Sequence, residues 1–133
     1  MIFFIVLIFL MTFTYLSMWF YLRHRFSKVK NFHQVLFYTS LGVSAVISGP
    51  VCIFAGVYFL MSVEALCLSP AVEGVDYLYF SFTTFTTLGY GDISPVGHCR
   101  LVSSLEAVSG IISFGFTIAG IQLAVRELER RRA

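Results

Sequence analysis

Three apolar runs constrain this chain more than any other feature. Residues 1–22 and 35–63 contain no charged side chain, and residues 101–125 contain only Glu106. At 1.5 Å per residue, even the shortest run spans about 33 Å as a helix, which is enough to cross a bilayer. With 58% hydrophobic and 12% charged residues, the composition is that of a membrane protein. We therefore expect an all-α membrane protein with three spanning helices.

The first run, residues 1–22, is interpreted as a retained transmembrane helix. A signal peptide, the alternative, needs a basic start, a shorter apolar core and a small-residue cleavage site. Met1-Ile2-Phe3 supplies no basic side chain, and residues 12–22 contain no Ala-x-Ala pattern. We therefore predict an additional N-terminal transmembrane helix.

The lysines and arginines predict which side of the membrane each segment faces. Four lie in the linker 23–34, four lie in the tail 126–133, and Arg100 stands alone on the opposite side. By the positive-inside rule the linker and the tail are cytoplasmic, in a multi-pass protein of the plasma or inner membrane. The linker cations could also bind anionic lipid headgroups on that side. These cations are Arg23, Arg25, Lys28 and Lys30.

The composition gives no indication of an enzyme or of a nucleic-acid partner. The formal net charge is only +2, and no basic groove pattern is present. No phosphate-binding loop, zinc-ligand cluster or catalytic triad pattern occurs in the sequence. We therefore expect neither catalysis nor an organic cofactor.

Between the second and third runs the chain becomes polar and then forms a short helix. Residues 64–75 are typical of an exposed loop, and Asp76 is the expected N-cap of a helix within residues 76–86. That helix is too short to span a bilayer. A re-entrant segment is tolerated at membrane depth only where protein or a water-filled cavity surrounds it. The pattern therefore predicts a pore loop.

The short helix leads into the stretch Thr86-Thr87-Leu88-Gly89-Tyr90-Gly91-Asp92. Threonine places a hydroxyl beside its own carbonyl, and the two glycines can adopt φ values that other residues avoid. Because Gly89 and Gly91 alternate with residues that carry side chains, successive carbonyls of an extended backbone can turn to one side. Such a row of oxygens can replace the water shell of a monovalent cation.

The hexapeptide Thr87-Leu88-Gly89-Tyr90-Gly91-Asp92 resembles the Thr-Val-Gly-Tyr-Gly-Asp signature of the potassium-channel family, with Leu88 in place of the usual Val or Ile. The resemblance covers about residues 35–125 and is closest to small prokaryotic channels with two membrane helices around a re-entrant loop. Residues 1–22 have no counterpart in that pattern. The resemblance implies an outer helix 35–63, a loop 64–75, a pore helix 76–86, a filter 87–91 and an inner helix 101–125. It also implies that four copies of the chain assemble as a homotetramer.

The resemblance also implies a function, which is passive and selective conduction of K⁺ across the membrane. The implied ion ligands are the backbone carbonyls of Thr87, Leu88, Gly89, Tyr90 and Gly91, together with the hydroxyl of Thr87. Three alternatives stay open. The chain could form a weakly selective cation channel, because Leu88 is not the usual residue. It could instead be a potassium-transporter subunit or a non-conducting partner of another channel.

Several residues near the filter are predicted to support it. The positions of Tyr79 and Phe80 match an aromatic cuff that surrounds the filter tyrosine in the family, which is Tyr90 here. Ordinary core or lipid-facing packing is the alternative for both rings. Asp92 is the last residue of the signature, and we expect it to support the filter as well.

Glu106 is an ionisable residue inside an apolar run, and such a residue suggests a function because its burial is costly. Many channels of the family place a carboxylate in the pore helix behind the filter, at the position that Thr83 occupies here. We hypothesise that Glu106 braces the filter or the pore helix from behind, through Thr83, Thr84 or the Tyr90 hydroxyl. The alternative is a residue near the interface whose carboxylate reaches water.

Gly110 and a cysteine pair complete the candidate residues. Gly110 matches the family's hinge glycine on the inner helix, where glycine would permit bending; tight helix packing is the alternative. Cys67 and Cys99 flank the pore loop on the predicted outer face. Inward-rectifier channels flank their pore loop with a cysteine pair, so the resemblance implies a disulfide, with two free thiols as the alternative.

Overall fold

A computed structural model describes residues 32–64 and 66–132 of the chain. The elements in order are α1 (Phe32–Glu64), β1 (Leu68–Ser69), α2 (Asp76–Phe85), β2 (Ser94–Pro95) and α3 (Cys99–Arg132). The predicted helix 1–22 and the basic residues Arg23, Arg25, Lys28 and Lys30 lie outside the described residues. The N-terminal helix and the lipid-binding linker therefore stay predictions.

Among residues 32–132, two helical segments, Ser40–Val63 and Cys99–Gln122, are long and apolar enough to cross a membrane. Only 28% and 22% of their most apolar windows are buried within the single chain. An apolar surface of this extent is unfavourable in water and is expected to contact lipid or another protein. Membrane-spanning helices account for both their composition and their exposure.

Residues 47–114 form one compact unit, which contains residues 66–98, the predicted pore-loop region between α1 and α3. The second unit comprises the chain on either side, of which residues 32–46 and 115–132 are described as helix. The core of the 47–114 unit lies where α1, α2 and α3 meet. Its wholly or almost wholly buried side chains are Phe54, Tyr58, Cys67, Leu68, Ser81, Phe85, Val102, Glu106 and Ser113.

A short two-stranded sheet and a disulfide join the two ends of the pore-loop region. β1 and β2 are antiparallel, with Leu68 opposite Pro95 and Ser69 opposite Ser94. A disulfide links Cys67 to Cys99, whose Cα atoms lie 5.5 Å apart. Both half-cystines are buried. The loop that precedes α2 is therefore fixed to the first residue of α3.

The observed helix ends differ from the predicted ones where hydropathy and backbone preference diverge. α3 begins at Cys99, two residues before the apolar run 101–125, and continues through the charged tail to Arg132. Its last residues are mostly Glu, Leu and Arg, which favour helix although they are not all apolar. The predicted N-cap was wrong, because Val75 is the N-cap of α2 and Asp76 is its first helical residue. The Asp76 carboxylate instead accepts a hydrogen bond from the Glu73 backbone N–H at 3.4 Å.

Candidate functional site

The end of α2 holds the loop that follows it through backbone hydrogen bonds. The Thr87 N–H donates to the carbonyl of Thr84 at 3.0 Å. The next two N–H groups, of Leu88 and Gly89, both donate to the carbonyl of Thr83, at 2.8 and 3.1 Å. Three successive amide hydrogens are therefore directed back at the C-terminal turn of α2.

The carbonyl oxygens of residues 87–91 have no such partners. Within residues 32–64 and 66–132, no backbone N–H donates to any of these five carbonyls. All five residues are exposed in the single chain. Exposed backbone carbonyls that accept no internal hydrogen bond can bind water or another ligand. The loop therefore presents five successive carbonyl oxygens that are available to a ligand.

The sign of φ alternates along the same loop. Thr87 has a φ of 59°, Gly89 of 51° and Gly91 of 82°, whereas Leu88 and Tyr90 are not in the positive region. A positive φ is unfavourable for a β-branched residue such as threonine. Such outliers cluster at functional sites, where the surrounding structure enforces them. Here the bonds to the end of α2 provide that constraint.

Asp92, directly after the loop, is joined to the first turn of α2. The Tyr79 hydroxyl donates to Asp92 Oδ2 at 2.7 Å, and the Ile93 N–H donates to Asp92 Oδ1 at 3.0 Å. The hydrogen bond to Asp92 raises the pKa of the Tyr79 phenol above its ordinary value. The loop is thus attached to α2 at both of its ends.

The two aromatic residues of the predicted cuff lie in different surroundings. Phe80 is buried, and its ring meets the Tyr58 ring edge-on, with centroids 5.0 Å apart. Tyr79 is exposed, and its hydroxyl donates to Asp92. Tyr90 is 67% exposed in the single chain. A cuff around Tyr90 therefore stays a prediction that needs neighbouring copies of the chain.

Glu106 is completely buried between α1, α2 and α3. The Tyr58 hydroxyl lies 2.5 Å from Glu106 Oε2, and the Ser81 hydroxyl lies 2.5 Å from Oε1. These partners differ from the Thr83, Thr84 and Tyr90 hydroxyls that the sequence suggested. The alternative of a carboxylate that reaches water at the interface is excluded by the burial.

Thr83 contacts the loop through its main chain, because its carbonyl accepts the hydrogen bonds from the loop. Its hydroxyl is used within α2, where it donates to the Phe80 carbonyl at 3.0 Å. Sequence reasoning missed Tyr58 and Ser81. The sequence contains no signal that singles them out, because their contacts with Glu106 depend on how each helix is rotated about its axis.

Gly110 lies against the last residue of α2. A Cβ added at Gly110 would overlap the carbonyl oxygen of Phe85 and would lie 2.9 Å from its carbonyl carbon. One turn further along α3, the Phe114 ring packs against the Phe85 ring at 6.2 Å. This geometry supports the packing role for Gly110, and the hinge role stays a prediction.

Comparison with known proteins identifies the class to which this arrangement belongs. No solved structure matches the chain. A family model described as an ion channel matches residues 50–127, which is more than half of the chain. The matched region includes part of α1, all of α2, the carbonyl row and most of α3. The chain therefore belongs to this ion-channel family and is a membrane protein.

Proposed function

We propose that the chain is the subunit of a potassium-selective channel that conducts K⁺ passively. The observation that carries this proposal is the row of carbonyls at residues 87–91 that accept no backbone hydrogen bond within the described residues. The amide hydrogens of Thr87, Leu88 and Gly89 donate to the end of α2, so the carbonyl oxygens outnumber the unbonded amide hydrogens in this loop. Closely spaced carbonyls that replace a hydration shell are the basis of K⁺ conduction in potassium channels.

A single chain supplies only one such row, and we infer a homotetramer in which four rows surround a central path. The exposed apolar surfaces of α1 and α3 support assembly in a membrane, where lipid and neighbouring copies would cover them. The C-terminal end of α2 carries a partial negative charge, as any helix end does. In a tetramer, four such ends directed at the axis would stabilise a cation below the carbonyl rows.

Exposed acidic side chains around the pore-loop region support cation rather than anion conduction. Glu73, Asp76 and Asp92 are all exposed. Arg100 is the only lysine or arginine in residues 64–100, between the second and third apolar runs. Negative charge at a pore mouth raises the local concentration of cations. Because the basic linker 23–34 and tail 126–133 are expected on the cytoplasmic side, this mouth faces the outside of the cell.

The bi-ionic reversal potential of the purified protein in liposomes tests the proposal. With K⁺ on one side and Na⁺ on the other, we expect a reversal potential far from zero, with the K⁺-containing side negative. A reversal near zero would identify a weakly selective cation channel. Flux at transporter-like turnover rates, or no flux at all, would favour a transporter subunit or a non-conducting partner.

A matched pair of glycine variants ties the result to the loop. Gly89 and Gly74 have nearly the same φ, 51° and 52°, and a methyl group added at either position meets no atom of the described residues within 4 Å. Alanine should therefore strain both positions to a similar extent. We expect Gly89→Ala to abolish potassium selectivity and Gly74→Ala to retain it. Equal behaviour of the two variants would contradict the assignment of the loop.

A further inference from the structure

The junction of the three helices contains an acid without a counter-ion among the described residues. Glu106 is 0% exposed, and the polar groups that these residues bring to it are the hydroxyls of Tyr58 from α1 and Ser81 from α2. Of these, Tyr58 is titratable and neutral at ordinary pH, and Ser81 does not titrate. A buried carboxylate without a cation is strongly unfavourable.

The position of Ser81 allows the hydrogens at this junction to be counted. Its Oγ lies 2.5 Å from Glu106 Oε1 and 2.9 Å from the backbone carbonyl of Val51. A serine hydroxyl has one hydrogen to donate, and a carbonyl oxygen has none. If Glu106 were ionised, only one of these two contacts could contain a hydrogen. In the other contact, two oxygens would face each other with their lone pairs alone.

We propose that Glu106 retains its proton at neutral pH and completes a hydrogen-bond relay across the three helices. The Tyr58 hydroxyl donates to Glu106 Oε2, the protonated Oε1 donates to Ser81 Oγ, and Ser81 donates to the Val51 carbonyl. Each of the three contacts then contains one hydrogen, and no charge is buried. An ionised Glu106 meets neither condition.

The relay makes Glu106 a positioning residue for α2. Its contact with α2 is Ser81, and the C-terminal turn of the same helix holds the loop through the carbonyls of Thr83 and Thr84. Tyr58 and the Val51 carbonyl attach the relay to α1. α2 is therefore held from both neighbouring helices by neutral hydrogen bonds. This inference goes beyond the proposed function, because it does not depend on which ion passes.

Infrared spectroscopy of the purified full-length protein at neutral pH, in a detergent that contains no ester carbonyl, tests the relay. A protonated carboxylic acid has a carbonyl-stretch band that ionised carboxylates lack and that shifts in D₂O. We expect the wild-type protein to have this band and the Glu106→Gln variant to lack it. Glu73→Gln is the matched control, because Glu73 is an exposed carboxylate. It should leave the band unchanged.

Two results would overturn the proposal: no such band in the wild-type protein, or a band that survives Glu106→Gln. Glutamine should assemble normally, since its amide can accept from Tyr58 and donate to Ser81 as the protonated acid does. If that variant fails to assemble, Ser81→Ala provides a second measurement, because it removes the acceptor of the Glu106 proton. A shift of the band in Ser81→Ala supports the relay, and an unmoved band contradicts it. Neither readout depends on ion flux, so failure of the relay and failure of potassium selectivity are distinguishable.

Discussion

Replacing Gly110 with alanine should disturb the contact between α3 and the end of α2. The added Cβ would overlap the Phe85 carbonyl oxygen, and this atom belongs to the backbone and cannot rotate away. Relieving an overlap of this kind costs about 1–3 kcal/mol. Alanine also favours helix over glycine by about 1 kcal/mol, which partly offsets that loss.

Gly115→Ala isolates the overlap, because Gly115 lies on the same helix and an added Cβ meets no atom of the described residues within 4 Å. The helix-propensity gain is common to both variants. The difference between their free energies of unfolding should therefore equal the cost of the overlap. This cost is about 1–3 kcal/mol, and Gly115→Ala should be the more stable variant.

The assay is the melting temperature of the purified protein, combined with its bi-ionic reversal potential. We expect Gly110→Ala to melt at least about 4 °C below Gly115→Ala. It should also have reduced ion selectivity, because Phe85 lies two residues before Thr87. Equal melting temperatures and selectivities would refute the packing argument. A changed open probability with unchanged stability and selectivity would instead favour the hinge.

Two other contacts give testable predictions. Because the bond to Asp92 raises the pKa of Tyr79, Asp92→Asn should lower that pKa towards its ordinary value of about 10. Ultraviolet titration, with Tyr79→Phe to identify the signal, measures the change; an unchanged titration would contradict the bond. The Cys67–Cys99 disulfide closes a loop with a sequence separation of 32 residues, so its loss should destabilise the protein by about 3–4 kcal/mol. Non-reducing peptide mapping should find the two cysteines linked, and free thiols at both positions would contradict the structure.

The sequence contained enough information to predict the two long apolar helices of residues 32–132 and the ion-channel class. Long uncharged runs leave few alternatives to membrane helices, and the ion-channel family match confirms that class. Gly89 and Gly91 were identified as positions that can adopt φ values that other residues avoid, and both have a positive φ. Thr87 joins them at 59°, which composition could not indicate because threonine rarely adopts that conformation.

The partners of Glu106 could not be predicted, because they depend on the rotation of three helices about their own axes. Ser81 and Thr83 are both small polar residues on α2, and hydropathy does not distinguish them. Tyr58 lies in an apolar run, where its ring fits any buried or lipid-facing position. The strands at Leu68–Ser69 and Ser94–Pro95 have only two residues each, which is too short for a periodic pattern.

An experimental density map of the protein in lipid, determined in potassium solution, tests the central claim most directly. We predict four copies around one axis, with the carbonyls of residues 87–91 facing that axis and ion density between successive carbonyl rings. A monomer, or a tetramer in which these carbonyls face away from the axis, would contradict the account.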